Sequence, residues 1–310
     1  MLQVEERTVP APGPGELLVE VAASGVNFVD VYRRQGVYQA PTPFVLGEEC
    51  AGRVVSVGPD VPDVAAGDVV ATAAGGHGTH ATMAVIDAAK AVPVPPGLEP
   101  QLAAAAMLQG ITAHYLLNST YPVRSGETVL VHAAAGGVGQ LLVQLAKAKG
   151  ARVIGTVGSA AKADIAGAVG ADHVLRYDEV EDLAAAVRDL APGGVDVVYD
   201  GVGKATFDAS LASLRRRGML VLYGASSGQV PPFDLQRLNS GGSLFVTRPT
   251  IAHYTAEREE LLWRAREVLG AVADGTLRVE IGGRYGLDEA AQAYRDLEGR
   301  RTTGKLLIVP

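Results

Sequence analysis

Residues 128–139 read Thr-Val-Leu-Val-His-Ala-Ala-Ala-Gly-Gly-Val-Gly, and this stretch decides the fold. A β-branched apolar run stops at small residues and a helical pattern opens at Gln140, which predicts a strand, a tight turn and a helix. The turn reads Ala134-x-Gly136-x-x-Gly139, the dinucleotide fingerprint with alanine in the first glycine position. Backbone N–H groups and the helix dipole favour a pyrophosphate at such a helix start. The sequence therefore predicts a dinucleotide site; the alternative is a glycine-rich turn that only packs a helix on a sheet.

The end of the next predicted strand, residues 152–157, indicates which dinucleotide binds. Enzymes that use NAD usually place an acidic residue about 20 residues past the fingerprint, where it bonds the ribose 2′-hydroxyl. This chain has Gly158 and Ser159 there, and its first acid is Asp164. A hydroxyl at Ser159 and a cation at Lys162 suit a 2′-phosphate, although Lys162 has the alternative of a solvated surface lysine. The pattern favours NADPH over NADH.

Composition predicts a cytoplasmic enzyme. The chain has 310 residues, a hydrophobic fraction of 48% and a net charge of −7, and its densest basic run is only Arg215–Arg217, so nucleic acid is an unlikely partner. Its apolar runs fall short of the roughly 20 residues that span a membrane, and its first residues do not resemble a signal peptide. A single cysteine, Cys50, excludes an internal disulfide and a cysteine-based zinc site. Its apolar neighbours predict a buried thiol rather than a catalytic one.

Two styles of sequence predict two domains. Residues 1–100 carry short apolar runs broken by Gly and Pro, which predict a compact β domain, and residues 93–97 read as a linker. Beyond residue 101, helical and strand patterns alternate, which predicts an α/β domain with a doubly wound parallel sheet. The predicted elements are strands 17–23, 50–58, 68–72 and 91–93, then helix 101–121, strand 128–132, helix 138–149, strand 152–157, helix 160–169, strand 172–176, helix 181–190, strand 195–199, helix 204–214, strand 218–223, helix 255–274 and strand 305–309.

Several motifs together carry a family resemblance. They are residues 25–32, 36–38, 46–52, 109–117, 132–139, 199–203, 224–228 and 247–249. With them the chain resembles the quinone oxidoreductases of the zeta-crystallin type, in the medium-chain dehydrogenase/reductase superfamily. The resemblance implies a GroES-like β-rich catalytic domain formed by residues 1–110 and 247–310, and a Rossmann NADPH-binding domain at 111–246. It also implies a homodimer joined through the Rossmann sheets near strand 243–247. Relatives usually carry an extra strand before residues 2–4, so we expect lower local stability near residues 1–20.

The resemblance also implies roles for individual residues. Catalytic or substrate-cleft roles fall on Asn27, Asp30, Tyr32, Tyr38 and Gln109. Contacts near the nicotinamide fall on Asn27, Tyr32 and Thr112, and its half of the site is bordered by Ser227, Phe233, Phe245 and Thr247. The residues implied to bind the pyrophosphate are Gly136, Gly137 and Val138. Those implied to lie at the 2′-phosphate end or its surroundings are Ser159, Lys162, Tyr177 and Arg300. Further cofactor contacts are Ala135, Gly158, Val202, Gly224 and Ser226. The structural alternatives are a turn at Asn27, core aromatics at Tyr32 and Tyr38, a strand-end cap at Tyr177, an ion pair of Arg300 with Glu298, and a helix cap at Asp30.

The resemblance predicts that no metal takes part. Zinc-dependent relatives place a cysteine where this chain has Asn27, and Gly-His-Glu where it has Gly47-Glu48-Glu49. His77 and His80 are three residues apart, but their glycine-rich stretch does not have a helical pattern. We therefore predict a surface turn at these histidines.

Without a Lewis acid, the acceptor must take a hydride easily. A quinone or an activated alkene does so because the negative charge is delocalised as it forms, whereas a simple ketone usually needs a metal or an acid. The sequence therefore predicts an NADPH:quinone reductase. One alternative is an NADPH-dependent enoyl or 2-alkenal reductase, since polyketide synthase reductase domains share the motifs at 26–28 and 133–139. Another is a non-catalytic NADPH-binding protein.

Overall fold

The structure is a computed structural model that describes residues 2–73 and 78–310. It contains two compact units, one formed by Met1–Ile111 with Tyr254–Pro310 and the other by Thr112–His253. Each unit is built on its own sheet, which confirms the predicted α/β fold class. Among the described residues, none of the helices combines the length and apolar character needed to cross a bilayer.

The first unit is built on a seven-stranded sheet with the order β12-β13-β1-β2-β3-β5, in which β4 also pairs with β1. Its strands are β1 Glu16–Val26, β2 Glu49–Val57, β3 Val69–Ala73, β4 Met83–Asp87, β5 Ala91–Pro93, β12 Ile281–Tyr285 and β13 Lys305–Ile308. Its helices are α1 Phe28–Arg34, most of α2 Pro100–Tyr115, α9 Arg258–Ala273 and α10 Ala290–Glu298. Neighbouring strands are antiparallel except β12 and β13. The pairing of β13 with β1 brings the last strand of the chain beside the first.

Alternation along β1 builds the core of this unit. Leu17, Val19 and Val21 are buried while Glu20 is exposed, as expected for a strand with one covered face. The buried side chains of β1 pack with those of β2, β3 and β4. A second cluster joins the end of β1 to β13 and to Tyr294 of α10. This second cluster surrounds the residues that the sequence marks as candidates at the start of α1.

The second unit is a parallel six-stranded sheet with the order β11-β10-β9-β6-β7-β8. Its strands are β6 Thr128–Val131, β7 Arg152–Val157, β8 His173–Arg176, β9 Val195–Asp200, β10 Leu214–Leu222 and β11 Phe245–Thr247. Its helices are α3 Gly137–Ala148, α4 Ala160–Ala168, α5 Leu183–Leu190, α6 Phe207–Ser213 and α7 Gln236–Ser240, with α8 Ile251–Tyr254 at the boundary. The strand order reverses between β6 and β9, and ligands of such sheets bind outside the carboxyl ends of the strands at this point.

The strands of this sheet are apolar without alternation because both faces are covered. Val129, Leu130 and Val131 of β6 are each 0% exposed. Leu130 packs with Ile154 and Val198 of the neighbouring strands in one cluster. These continuous apolar runs made the strand pattern readable in the sequence.

Two helices differ from the sequence prediction for local reasons. The predicted helix 101–121 ends as α2 at Tyr115 and widens into a π-helical turn at Leu116–Thr120. There the Tyr199 hydroxyl donates to the carbonyls of Leu116 and Tyr121, each over 3.3 Å. The predicted helix 204–214 begins only at Phe207, because the Lys204 N–H bonds the Gly228 carbonyl and the Ala205 N–H bonds the Ser227 hydroxyl.

Candidate functional site

The fingerprint turn joins β6 to α3 at the carboxyl edge of the parallel sheet. Ala133 adopts the left-handed region with φ of +52°, and Gly136 is the N-cap of α3. A Cβ atom on Gly139 would overlap the Ala133 carbonyl oxygen, so only glycine lets the helix approach the turn this closely. The predicted pyrophosphate contacts at this helix start are Gly136, Gly137 and Val138, and Ala135 before them is a further predicted cofactor contact. Such a helix start offers backbone amides and the positive dipole end to an anion.

The end of β7 lies beside this turn and carries the residues predicted for a 2′-phosphate. The Ser159 hydroxyl caps α4 by accepting the Lys162 N–H over 3.4 Å. Gly158 is exposed and Lys162 is half-buried. The first carboxylate, Asp164, lies within α4. The position where NAD enzymes place an acid therefore holds a hydroxyl and a cation.

Tyr177 follows β8 and belongs to a chain of hydrogen bonds. Its hydroxyl lies 2.6 Å from Thr156 Oγ1 and 3.2 Å from His132 Nδ1. Its ring stacks on the imidazole of His132, with centroids 6.3 Å apart and 19° between the planes. His132 also lies 2.8 Å from Thr156 Oγ1 through Nδ1 and 2.9 Å from Ser210 Oγ through Nε2. His132, Thr156 and Ser210 are each 0% exposed.

Asp200, at the carboxyl end of β9, is the last member of this chain of hydrogen bonds. It accepts the Ser210 hydroxyl at 2.8 Å and the Val202 and Gly203 N–H groups at 2.8 and 2.9 Å. Burial lowers the pKa of His132, and the nearby Asp200 carboxylate only partly opposes that shift. The imidazole is therefore neutral at neutral pH. The same carboxylate fixes the loop that contains Val202, a predicted cofactor contact.

The loop after β10 packs on the loop after β9. The Ser227 hydroxyl donates to the Val202 carbonyl over 2.7 Å and accepts the Ala205 N–H over 2.9 Å. The Ser226 N–H donates to the Gly201 carbonyl over 3.2 Å. A Cβ atom on Gly224 would lie 2.6 Å from that same carbonyl oxygen. The structure thus brings Val202, Gly224, Ser226 and Ser227 together at the carboxyl edge of the sheet.

Three other predicted contacts of this unit are Phe233 and two residues of β11. Phe233 packs edge-on against Phe207, with centroids 5.0 Å apart, beside the hydrophobic core. Thr247 lies at the carboxyl end of β11, the edge where dinucleotides bind. Phe245 lies at the opposite end of that strand and is 54% exposed.

In the first unit, the amide of Asn27 is occupied on both sides. Its Nδ2 donates to the Gly25 carbonyl at 3.1 Å and to Glu49 Oε1 at 2.7 Å, while its Oδ1 accepts the Lys305 ammonium at 2.7 Å. Lys305 also pairs with Glu49, and both side chains are 0% exposed. A Cβ atom on Gly25 would overlap the Glu49 carboxylate, which explains the glycine two residues before Asn27. We call Asn27, Glu49 and Lys305 the ammonium cluster.

The ammonium cluster also fixes α2. Glu49 Oε2 accepts the Leu108 N–H over 2.7 Å. Leu108 precedes Gln109, a predicted cleft residue that is half-buried on this helix. Thr112 lies on the same helix, within the second unit, and is 6% exposed. One carboxylate therefore ties together the end of β1, the start of β2, α2 and β13.

Asp30 forms the capping box of α1 with Asn27. Its carboxylate accepts the N–H groups of Asn27 and Gly47, each over 3.2 Å, and the hydroxyl of Tyr294 bonds to it. Burial raises the pKa of Asp30 to about 6, although the hydrogen bonds from Tyr294, Gly47 and Asn27 oppose the shift. These contacts are those of a helix cap, the structural alternative for Asp30. With a pKa of about 6, the Asp30 carboxyl changes its protonation just below neutral pH.

Three aromatic rings line α1 and the segment after it. Tyr32 meets Tyr38 edge to face at 5.6 Å and 80°, and Phe28 lies 6.2 Å from Tyr32. Tyr38 is 42% exposed, so it is not a core aromatic. We call Phe28, Tyr32 and Tyr38 the aromatic row.

The remaining candidates are a thiol and two histidines. Cys50 is buried, and burial followed by the charge of Glu49 raises its pKa to about 12, which leaves it a thiol at neutral pH. His80 bonds Ser24 Oγ through Nδ1 at 2.7 Å and the Tyr294 hydroxyl through Nε2 at 2.8 Å. His77 lies outside the described residues.

Arg300 follows α10 in the first unit. It is exposed and adopts the left-handed region with φ of +54°. The Glu298 carboxylate, its predicted alternative partner, pairs with Arg34.

The positions that ligate zinc in relatives do not offer a zinc site here. Asn27 is bonded to the Lys305 ammonium, Glu49 pairs with that same ammonium, and Glu48 pairs with the Arg33 guanidinium. Cationic side chains therefore occupy the donors that a divalent ion needs. Within the described part of the chain, no group of three or more His, Cys, Asp or Glu side chains is arranged to hold a metal ion.

Sequence reasoning missed the partners that hold these candidates. Lys305 opens the last apolar strand, and a lysine at the head of such a run was the available signal. Its partner Glu49 was quoted only as part of a motif. His132 was likewise quoted in the fingerprint without a role.

Comparisons with known proteins agree with this geometry. Residues 13–96 match the family described as the alcohol dehydrogenase GroES-like domain, and residues 137–261 match the zinc-binding dehydrogenase family. A quinone oxidoreductase of Pseudomonas aeruginosa is 44% identical over 100% of this chain and 96% of its own length. The crystal structure of Escherichia coli quinone oxidoreductase complexed with NADPH superposes with a TM-score of 0.96 at 42% identity, covering 99% of this chain and 95% of that one. A 2-haloacrylate reductase of a Burkholderia species is 40% identical over 99% of this chain and 94% of its own length.

Proposed function

The chain belongs to the quinone oxidoreductase family, and we propose that it reduces quinones with NADPH as the hydride donor and without a metal. The fingerprint turn carries this proposal, because Gly139 lets α3 begin in close contact with the Ala133 carbonyl, and the first amides of a helix have no intrahelical partner and favour a pyrophosphate. The NADPH complex of the Escherichia coli relative supports the same choice of dinucleotide.

The preference for NADPH rests on the end of β7. A carboxylate there would repel a 2′-phosphate, and the residues present are Ser159 and Lys162. Tyr177 directly follows the neighbouring strand β8, and its N–H donates to the Val157 carbonyl over 2.9 Å. Arg300, on the first unit, is proposed as a further contact of the phosphate by resemblance.

The zinc-free mechanism rests on the ammonium cluster. A divalent ion at Asn27 and Glu49 would compete with the buried Lys305 ammonium, so these residues do not fit zinc. An acceptor that delocalises charge by itself, such as a quinone, does not need a Lewis acid.

The residues that act on the substrate are proposed to be those of the first unit. When bound, NADPH supplies the hydride. The rings of Tyr32 and Tyr38 offer an edge-to-face surface on which a planar quinone can be oriented, and positioning of this kind supplies a large part of the barrier reduction. Asn27, held by Lys305, fixes the start of α1 beneath them. Asp30 and Gln109 are proposed to shape the substrate cleft.

An activated alkene is the second candidate acceptor. The 2-haloacrylate reductase of Burkholderia, at 40% identity, favours it. A conjugated carbonyl also spreads charge as hydride arrives, so the same residues would serve both acceptors.

We also propose a homodimer joined at β11. This strand lies at the edge of its sheet, and Phe245 on it is 54% exposed. An exposed edge strand is a template for pairing with a second chain. A cytoplasmic location is proposed as well, because the single cysteine, Cys50, is a free thiol.

Substitution in the aromatic row tests the proposed site. We expect Tyr38→Ala to lower kcat/KM for 1,4-benzoquinone by about fivefold, since an oriented aromatic contact contributes about 1 kcal/mol. The Kd for NADPH should stay unchanged. Val37→Ala is the matched control, because Val37 is 41% exposed beside it. Unchanged quinone turnover in Tyr38→Ala would put the acceptor elsewhere, and NADPH binding without oxidation by any acceptor would favour the non-catalytic alternative.

A further inference from the structure

We propose that His132 is a specificity-determining residue that couples binding of the NADPH 2′-phosphate to uptake of one proton, through the chain Tyr177–Thr156–His132–Ser210–Asp200. NADH, which lacks the phosphate, would bind without this uptake. The inference rests on the proposed function, since it assumes that Tyr177 faces the 2′-phosphate.

The order of protons along the chain starts at Asp200. A carboxylate only accepts hydrogen bonds, so the Ser210 hydroxyl must give its proton to Asp200, 2.8 Å away. Ser210 Oγ then has only lone pairs left for His132. The 2.9 Å contact between them therefore requires a proton on His132 Nε2.

The neutral imidazole fixes the rest of the chain. With its proton on Nε2, His132 accepts through Nδ1 from the Thr156 hydroxyl 2.8 Å away or from the Tyr177 hydroxyl 3.2 Å away. In the first arrangement Tyr177 donates to Thr156 over 2.6 Å, and in the second Thr156 donates to Tyr177 while Tyr177 donates to Nδ1. The Tyr177 proton is held inside the chain in both. Without a bound phosphate, the Tyr177 proton therefore points into the protein and only lone pairs remain for a ligand.

A 2′-phosphate is an acceptor and needs that proton turned outward. When the Tyr177 proton turns outward, Thr156 donates to Tyr177 and no hydroxyl is left to donate to His132 Nδ1. Nδ1 keeps a hydrogen bond only if it becomes a donor to Thr156. His132 then carries a proton on each nitrogen, and the added proton comes from solvent. The hydrogen bonds remain satisfied, and the imidazolium charge is balanced through Ser210 by Asp200.

The surroundings of His132 suit this role. Among the described residues, the titratable groups that face it are Asp200 from β9 and Tyr177 from β8. The neighbours from β7 and α6 are the hydroxyls of Thr156 and Ser210, which do not titrate in this range. The only charge facing the imidazole is therefore negative, and it favours the protonated form when the phosphate arrives.

Calorimetry with the full-length protein tests the coupling. Binding of NADPH and of NADH is measured at about pH 8 in two buffers of different ionisation enthalpy, well above the phosphate pKa of about 6. We expect uptake of about one proton with NADPH and none with NADH. The Kd for NADPH should rise by up to about tenfold per pH unit in this range, because linkage gives that slope for one proton.

Three variants separate positioning from packing. His132→Gln and Thr156→Val interrupt the hydrogen-bonded chain, so they should abolish the proton uptake. The Kd for NADPH should rise by about tenfold, as expected for the loss of one hydrogen bond to a charged group, and the Kd for NADH should stay unchanged. Thr156→Ser keeps the hydroxyl that Thr156→Val removes, so this variant should retain the proton uptake. A purely structural role would shift the Tm and both dinucleotide affinities together. NADPH binding without proton uptake in the unmodified protein, or uptake that persists in His132→Gln, would overturn the proposal. Failure of the unmodified protein to bind either dinucleotide would instead refute the proposed function.

Discussion

Replacing Lys305 by Met should destabilise the first unit more than any surface substitution. The change removes the ammonium that pairs with Glu49. Because both side chains are 0% exposed, water cannot take the place of the ammonium. It also removes the donor 2.7 Å from Asn27 Oδ1. Breaking a buried pair by removing one partner costs about 3–5 kcal/mol because the other charge stays buried and uncompensated.

A second substitution tests whether the unpaired charge of Glu49 causes this loss of unfolding free energy. In Lys305→Met/Glu49→Gln the remaining side chain is neutral, so most of the lost free energy of unfolding should return. Glutamine keeps an oxygen for the Leu108 N–H, which Glu49 accepts over 2.7 Å. Arg301→Met is the control, because Arg301 of the same unit pairs with Asp296 at the surface with 70% and 20% exposure, and such pairs contribute at most about 1 kcal/mol.

Tryptophan fluorescence during urea unfolding is the assay. Trp263 is the only tryptophan in the sequence, and it lies on α9 of the unit that contains Lys305. Its signal therefore follows the affected unit. The reasoning is refuted if Lys305→Met unfolds within about 1 kcal/mol of the unmodified protein, or if the double variant is no more stable than the single one.

Three further outcomes can be measured on the same protein. Gly139→Ala should abolish NADPH binding in a fluorescence titration, because the added Cβ overlaps the Ala133 carbonyl, whereas Gly167→Ala on α4, with open space around it, should bind normally. Asp30 has its pKa raised from 3.8 to about 6, so its stabilising contribution is present below pH 3.8 and is lost as pH rises to 6. Relative to Asp30→Asn, the unfolding free energy should fall by about 3 kcal/mol over that window, and parallel curves in urea would contradict this. Phe245→Lys should shift the mass in sedimentation from dimer to monomer, and an unchanged mass would exclude the β11 edge as the interface.

The parallel sheet was readable from the sequence because its signals are local. The central strands β6, β7 and β9 are largely apolar runs that end in small or polar residues, and the run 152–157 coincides with β7. The fingerprint also concentrates its information in one turn. Shorter elements carried weaker patterns, and α1, β4, β12 and α10 went unpredicted.

The ammonium cluster could not be read from the sequence because it is not local. Lys305 meets Asn27 only when β13 pairs with β1, in a register that sets Leu306 opposite Val26. No spacing rule relates residues at opposite ends of the chain. The lysine in an apolar strand was the sole local sign.

The His132 chain shows the same limit. Its members are Thr156 of β7, Asp200 of β9, Ser210 of α6 and the residues that follow β6 and β8, and each is an ordinary polar residue in its own segment. The resemblance identified Tyr177 as a predicted cofactor contact. The hydrogen bonds of its hydroxyl, however, depend on the side-by-side pairing of β8, β7, β6 and β9 in the sheet. The resemblance therefore named a candidate contact residue, whereas the residues bonded to its hydroxyl became visible only in the fold.

The most direct test of the proposed activity is the rate of dinucleotide oxidation with two acceptors and two cofactors. NADPH and NADH are each supplied in turn with 1,4-benzoquinone and with a 2-alkenal. The account predicts rapid oxidation of NADPH by the quinone and a strong preference over NADH. Turnover with the alkenal alone would assign the chain to the alkene reductases, and a preference for NADH would contradict the assignment of Ser159 and Lys162.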